Sequence, residues 1–158
     1  AALLDDLPLF RAAPPPPVTQ ALPTPITATP TPATGIGQQI ETRGTVALDD
    51  LIFPSGTATL APGDYASLAD IAAYLRANPD KTIALVGHTD ASGSLDANIA
   101  LSRKRAQAVR QRLIDTYDLP AAQIAADGAG YLAPRASNLT PEGRTQNRRV
   151  EVMLTSTQ

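Results

Sequence analysis

Nine of the fifteen prolines fall within the first forty residues, four of them consecutive at Pro14, Pro15, Pro16 and Pro17. Each proline ring fixes φ, removes a backbone donor and pushes the preceding residue out of the α region. A quarter of the chain is thereby barred from forming a helix or a central strand. Thr-Pro steps continue through Pro32, and such a composition favours polyproline II at about 3.1 Å per residue. Residues 14–32 would then reach on the order of 60 Å as a semi-rigid spacer. Residues 1–40 are read as a Pro/Thr-rich extended linker, or as a docking arm in which Leu3, Leu4, Leu7, Leu9 and Phe10 form a short partner-binding peptide. Folding is left to residues 41–158.

Composition narrows what that remainder can do. Thirteen basic against fifteen acidic residues give a net charge of -2, so neither nucleic acid nor an acidic membrane surface is indicated as a partner. Aromatic residues are 4% of the chain, too few for platforms that stack single-stranded bases. There is no cysteine and one histidine, His88, which excludes disulfides, thiol chemistry and a multi-histidine metal site within one chain. No cofactor is implied. No apolar run approaches the roughly 20 residues that span a bilayer. The opening residues lack the n-region and h-region of a signal peptide, so the expectation is a mature or trimmed product.

From residue 41 the pattern is that of an α/β domain. Residues 45–53 have the apolar content of a strand, with Val46, Leu48 and Ile52 broken by Asp49 and Asp50. Pro62 suits a first helical turn, Leu68, Ile71, Ala72 and Leu75 recur at helical spacing, and Asn78-Pro79 ends the helix. Residues 82–86 form a short, nearly continuous apolar run, as in a strand covered on both faces. A second helix begins between Leu95 and Asn98 and runs to Tyr117, with Ala106, Val109 and Leu113 as its stripe. Residues 124–130 are a candidate third strand. Thr140-Pro141-Glu142 looks like an N-cap, an N1 proline and an acidic first turn, and Val150, Val152 and Leu154 alternate inward on a last strand. The predicted fold class is a two-layer α/β sandwich, β-α-β-α-β-(α)-β, with a mixed sheet and helices on one face.

The chain is organised around residues 85–105, which read as a strand end, a glycine turn and the opening half of a helix. Asp90 and Arg105 stand fifteen positions apart across that turn. Folded back, they become neighbours of opposite sign on one rim, suited to a small ligand with both an amine and a carboxylate. Asn98 and Arg105 are seven apart and share a helix face, about 20° out of line. Plainer readings stand beside these. Asp90 also suits a turn or capping carboxylate, and Arg105 a solvated helix position among Arg103, Lys104, Arg110 and Arg112. Arg144, Arg148 and Arg149 are open to being a phosphate patch or a solvated strand end.

Several short signatures coincide in one order: Leu85-Val86-Gly87-His88-Thr89-Asp90, Gly93, Asn98, Leu101-Ser102 and Arg105-Ala106. They are followed by Gly128, Gly130, Pro134, Asn138, Thr140, Glu142-Gly143-Arg144 and Asn147-Arg148-Arg149-Val150-Glu151. Over about residues 46–154 the chain resembles the OmpA-like C-terminal domain, the peptidoglycan-binding module of Gram-negative envelope proteins. The resemblance implies non-covalent binding of the peptidoglycan stem peptide through its meso-diaminopimelate. It places Asp90 against the ligand ammonium and Arg105 against its carboxylate. Asn98, Arg149, Thr89 and Leu101 then line or support the pocket. It further implies a periplasmic, wall-associated module, tethered to the outer membrane, with a membrane-anchored or envelope partner engaged through residues 1–40.

Arginine can hold a carboxylate through two parallel hydrogen bonds, which lysine cannot reproduce. An enzyme would need a nucleophile with its base. With one histidine on the strand leading to Asp90, the nearby Ser92, Ser94 and Ser102 show no recognisable triad, and a non-enzymatic role is expected. Three rivals remain: a wall-hydrolysing enzyme, a periplasmic interaction module that binds no wall, and a flagellar-stator-type anchor whose arm docks a partner.

Overall fold

The computed structural model describes residues 35–156; the readings made for the proline-rich arm up to residue 34 lie outside these. The described elements run α1 (Ile36–Arg43), β1 (Thr45–Ala47), α2 (Ala66–Ala77), β2 (Ile83–Gly87), α3 (Leu95–Tyr117), β3 (Ile124–Gly128), α4 (Pro141–Asn147) and β4 (Val150–Leu154), with a single 3-10 turn at Ala121–Gln123. The four strands form one sheet in the order β1-β4-β2-β3. Strands β2 and β3 are parallel, while β4 is antiparallel to both β1 and β2. The architecture is the predicted one-sided α/β sandwich with a mixed sheet.

Alternation along the strands decides which face is covered. Ile83 and Leu85 of β2, Ile124 of β3, and Val150 and Val152 of β4 are buried and fall on one face by register. They pack against Leu68, Ile71 and Leu75 of α2 and Ala106, Val109 and Leu113 of α3. On the opposite face Ala84 and Val86 are half-buried and Met153 is exposed. The apolar run at 82–86 is therefore not covered on both sides: alanine and valine on the open face make a one-sided strand look continuous.

The helix α1 was not legible as such, and it crosses residue 40, where the sequence reading ended the arm. All of α1 belongs to the compact unit, and Ile40 is fully buried in its core. Only two isoleucines in IGQQIETR carry a helical stripe, which hides the helix from periodicity. Its stop signal was present: Gly44 takes φ 82° and donates its N–H to Ile40 O at 2.7 Å, an αL cap that glycine adopts without strain.

Two boundaries also shift. The expected strand at 45–53 pairs only over Thr45–Ala47, after which an irregular segment buries Leu48, Leu51 and Phe53 but leaves Ile52 exposed. Pro62 does not open α2. That helix starts at Ala66, and the Ser67 N–H is capped by Asp50 Oδ2 at 3.0 Å, a partner seventeen residues away that local sequence does not suggest. The predicted N-cap at Thr140, by contrast, accepts from Gly143 N at 3.1 Å with Pro141 in the first turn.

Helix α3 lies directly on the ends of β2 and β3. A Cβ on Gly87 would stand 1.9 Å from Ser102 O, and one on Gly128 2.2 Å from Ser102 Oγ. The Ser102 hydroxyl donates to Ile99 O and accepts from Gly130 N, each at 2.9 Å. This contact fixes the mouth of the candidate site, because the turn from β2 into α3 forms one wall of it.

Candidate functional site

Past Gly87 the chain is gripped from both sides. His88 N donates to Arg149 O at 2.8 Å and Thr89 N to Gly130 O at 2.9 Å. Asp90 then begins an Asx turn, its Oδ1 accepting from Ser92 N at 3.0 Å. Gly93 follows with φ 89°, and Ser94 caps α3 by accepting from Ala97 N. The Asn98 amide donates back to Ser92 O at 2.8 Å and to Ser94 O at 2.9 Å. Asn98 is thus the brace of the turn. On the far side Asn147, fully buried, accepts from Arg135 N and Ala136 N and donates to Ala136 O and Asn138 Oδ1. Asn138 Oδ1 in turn accepts from Ala91 N at 3.1 Å.

These constraints leave a cleft of about 300 Å3. Thr89, Asp90, Asn98, Leu101 and Arg105 all line it, so five of the six residues singled out from sequence come together. Arg149 does not line it. It extends along the sheet, donating from Nε to Glu151 Oε1 at 2.7 Å and from Nη2 to Ala133 O at 3.2 Å. Its neighbour Arg148 takes the place in the cleft, together with Ser55, Gly56 and Ser92. The signal was the pair Arg148-Arg149 before a strand: alternation sends adjacent side chains apart, and nothing local says which one meets Asp90.

The two charges are arranged differently from the expected pair. Asp90 is 5% exposed and bonds through Oδ2 to Arg148 Nη1 at 2.9 Å, not to Arg105. Burial by itself would raise the Asp90 pKa, but hydrogen bonds from Arg148 and Ser92 and the charge of Arg148 outweigh it and hold the carboxyl below its ordinary value. Arg105 is neither a solvated helix residue nor a rim residue. It is 0% exposed at the cleft floor and donates to three carbonyls: Nε to Thr57 O at 2.7 Å, Nη1 to His88 O and Nη2 to Pro54 O, both at 3.2 Å. Its guanidinium also stacks 5.4 Å from the Phe53 ring centroid. Burial, then repulsion from Arg148, lowers its pKa to about 10, with Asp90 opposing, so it stays charged at neutral pH.

Two polar atoms of the cleft-lining residues, Thr89 Oγ1 and Arg148 Nε, are buried with no hydrogen bond among the described residues. His88, at the end of β2, is hydrogen-bonded through its backbone. Its ring nitrogens make no hydrogen bond among the described residues, and Nε2 lies 3.6 Å from Glu151 Oε2, too long for one. His88 and Arg149 together bring the Glu151 carboxyl down to about 2 against the opposing effect of burial. Of the two, only Arg149 has hydrogen-bonding geometry, at 2.7 Å. A depressed carboxyl stabilises the fold above its unfolded pKa, and that contribution is lost as pH falls through the folded value. Glu151→Gln should therefore cost about 1–2 kcal/mol at pH 7 once partial exposure is allowed for. The difference from wild type should shrink between about pH 4.5 and 2. Urea titrations across that window check it, and a pH-independent difference would contradict it.

The result is a one-sided α/β domain whose glycine turn and helix start enclose an acid, two arginines and a hydroxyl unpaired among the described residues. Residues 52–148 match the model of the OmpA family, and the chain belongs to that family. Among curated proteins it is 40% identical over 106 residues to the probable lipoprotein YiaD of Escherichia coli, across 67% of this chain and 48% of that protein. It is 41% identical over 104 residues to the peptidoglycan-binding protein ArfA of Mycobacterium tuberculosis, across 66% and 32%. The chain thus spans about half or less of these relatives. Of solved structures, the peptidoglycan-associated lipoprotein from Burkholderia pseudomallei superimposes with a TM-score of 0.61 at 30% identity, covering 66% of this chain and 88% of that one. The cell wall anchor of the type VI secretion system from Pseudomonas aeruginosa gives 0.58 at 27%, covering 77% and 94%.

Proposed function

We propose that this chain binds peptidoglycan non-covalently through the diaminopimelate of its stem peptide and so anchors an envelope protein or complex to the cell wall. The observation that carries the reading is the cleft itself, where Asp90, Arg105 and Arg148 converge beside the unpartnered Thr89 hydroxyl. Membership of a family whose relatives include a peptidoglycan-binding protein and a cell wall anchor supports it. The role is one of binding, without bond cleavage. The setting we assign is the periplasm, against the wall, with residues 1–40 as a spacer that carries an outer-membrane tether or reaches an envelope partner.

The chemistry has spare capacity on both sides. A carboxylate offers about four acceptor sites, of which Asp90 engages one through Ser92 and one through Arg148. The others are free for a ligand ammonium. A guanidinium has five N–H donors, and Arg105 uses three. One remains on each terminal nitrogen, spaced to meet both oxygens of a carboxylate. Since Arg105 is covered by the turn at residues 54–57, that turn shifts outward when the ligand enters.

Co-sedimentation with purified sacculi and calorimetric titration with a stem peptide test the reading. Asp90→Ala should lose about 2 kcal/mol of ligand affinity, roughly thirtyfold, because an ammonium is left without its partner. Stem peptides carrying lysine in place of diaminopimelate lack the second carboxylate and should bind comparably weakly to wild type. Equal affinity for both peptides would remove diaminopimelate from the proposal, and failure to sediment with sacculi would remove wall binding altogether.

A further inference from the structure

Arg148 lines the cleft, yet its guanidinium is committed to the protein. Nη1 donates to Asp90 Oδ2 at 2.9 Å, Nη2 donates to Thr145 Oγ1 at 3.0 Å, and Nε is buried. The residue directly follows α4, and its own N–H donates to Arg144 O at 3.1 Å. The short helix thus holds this arginine by main chain and side chain, with its charge aimed at one carboxylate. From the opposite side Ser92 N donates to Asp90 Oδ1 at 3.0 Å. Each oxygen of Asp90 is anchored by a different segment, so the plane of the carboxylate is fixed before a ligand arrives.

Burial makes that anchoring necessary. Asp90 is 5% exposed, and a carboxylate so far withdrawn from water reverts to its neutral acid unless a cation and hydrogen-bond donors compensate. The neutral acid offers an ammonium no counter-charge. Among the described residues Arg148 is the one cation hydrogen-bonded to Asp90. Arg105 acts on it from α3 by charge alone, since its three hydrogen bonds go to carbonyls. Ser55 and Gly56, which also line the cleft, carry no charge, and the His88 ring lies against Glu151 at 3.6 Å. We propose that Arg148 is a positioning residue for ligand binding, one that takes no group of the ligand itself but keeps Asp90 charged and oriented for the ligand's ammonium. The proposal rests on the diaminopimelate reading of the cleft and goes beyond it, because it assigns the persistence of binding in mild acid to a residue outside the ligand contacts.

Two measurements test this, and the first needs no ligand. NMR titration of the Asp90 side-chain carboxyl should find it below the ordinary aspartate range in wild type and above that range in Arg148→Met. Arg148→Lys, which keeps the charge without the fork, should return it toward wild type. The second measurement is calorimetric titration with meso-diaminopimelate at pH 7 and pH 5, a window in which Arg105 stays charged and the probe's own groups hardly titrate. From pH 7 to pH 5 wild type should lose less than about twofold in affinity, Arg148→Met about threefold or more, and Arg148→Lys an intermediate amount. His88 is common to all three proteins and cancels in the comparison. A direct contact between Arg148 and the ligand predicts instead the same loss at both pH values. That result overturns the proposal, as does an Asp90 titration unmoved in Arg148→Met. If Arg148→Met does not fold, wild type and Arg148→Lys decide, and a wild-type Asp90 at or above the ordinary range overturns it. If wild type binds no meso-diaminopimelate at either pH while Asp90 titrates as expected, it is the diaminopimelate reading that falls, and the positioning role falls with it.

Discussion

Arg105→Ala should destabilise the fold by about 3–5 kcal/mol, lowering the melting temperature on the order of 10–20 °C for a domain of this size. The side chain is the largest fully buried one among the described residues. Its removal strips a partner from the carbonyls of Pro54, Thr57 and His88 at once. It also vacates the space over Phe53. A role confined to ligand binding predicts lost affinity and an unchanged melting curve; burial predicts that both fall together. Arg105→Met separates the two contributions, since methionine fills much of the volume but offers no donor. It should recover part of the stability and none of the ligand affinity. Arg105→Lys keeps the charge without the planar fork and should sit between wild type and alanine in both measurements. Chemical denaturation of the three variants, read alongside stem-peptide titration, checks this. Wild-type stability in Arg105→Ala would show that the arginine is dispensable to the fold.

Gly87→Ala should cost more than about 3 kcal/mol, the upper range for overpacking, because the obstacle is main chain. The new methyl would lie 1.9 Å from the carbonyl oxygen of Ser102 and 2.6 Å from its carbon. Neither can rotate away as a side chain does. Relief requires α3 to lift from β2, and lifting α3 separates Arg105 and Asn98 from Asp90. A variant that still folds should therefore lose stem-peptide binding out of proportion to its stability. Gly35→Ala, where a Cβ meets nothing within 4 Å, is the control. Equal melting temperatures for Gly87→Ala and wild type would show that the helix is not seated as described.

The parts of the fold legible in the sequence are those dictated by local chemistry. The stripe Ala106, Val109 and Leu113, the cap at Thr140 and the alternation of Val150 and Val152 each need only neighbours in sequence to be read. What escaped depends on contacts between distant segments. Asp50 looks like a strand interruption until Ser67 is placed above it. Ile40 looks like the end of a linker until the core closes over it. The same division holds at the site. Gly93, Asn98 and Asp90 announce a turn by composition, and Arg105 shares a helix face with Asn98 by simple periodicity. That Arg148 and not Arg105 would bond to Asp90, or that three carbonyls from two other segments would hold Arg105, follows from tertiary geometry alone. The direction of Arg149, pinned to Glu151 two residues on, is set by the sheet.

Every acceptor that holds Arg105 is a main-chain oxygen, a group that all twenty amino acids supply. Divergence at Pro54, Thr57 or His88 leaves those three carbonyls in place, whereas a change in the length of the turn at residues 54–57 displaces two of them together. The arginine at the cleft floor is thus buffered against substitution around it and exposed to insertion and deletion. Among descendants of this chain that keep the site, turn composition is free to drift while turn length is not.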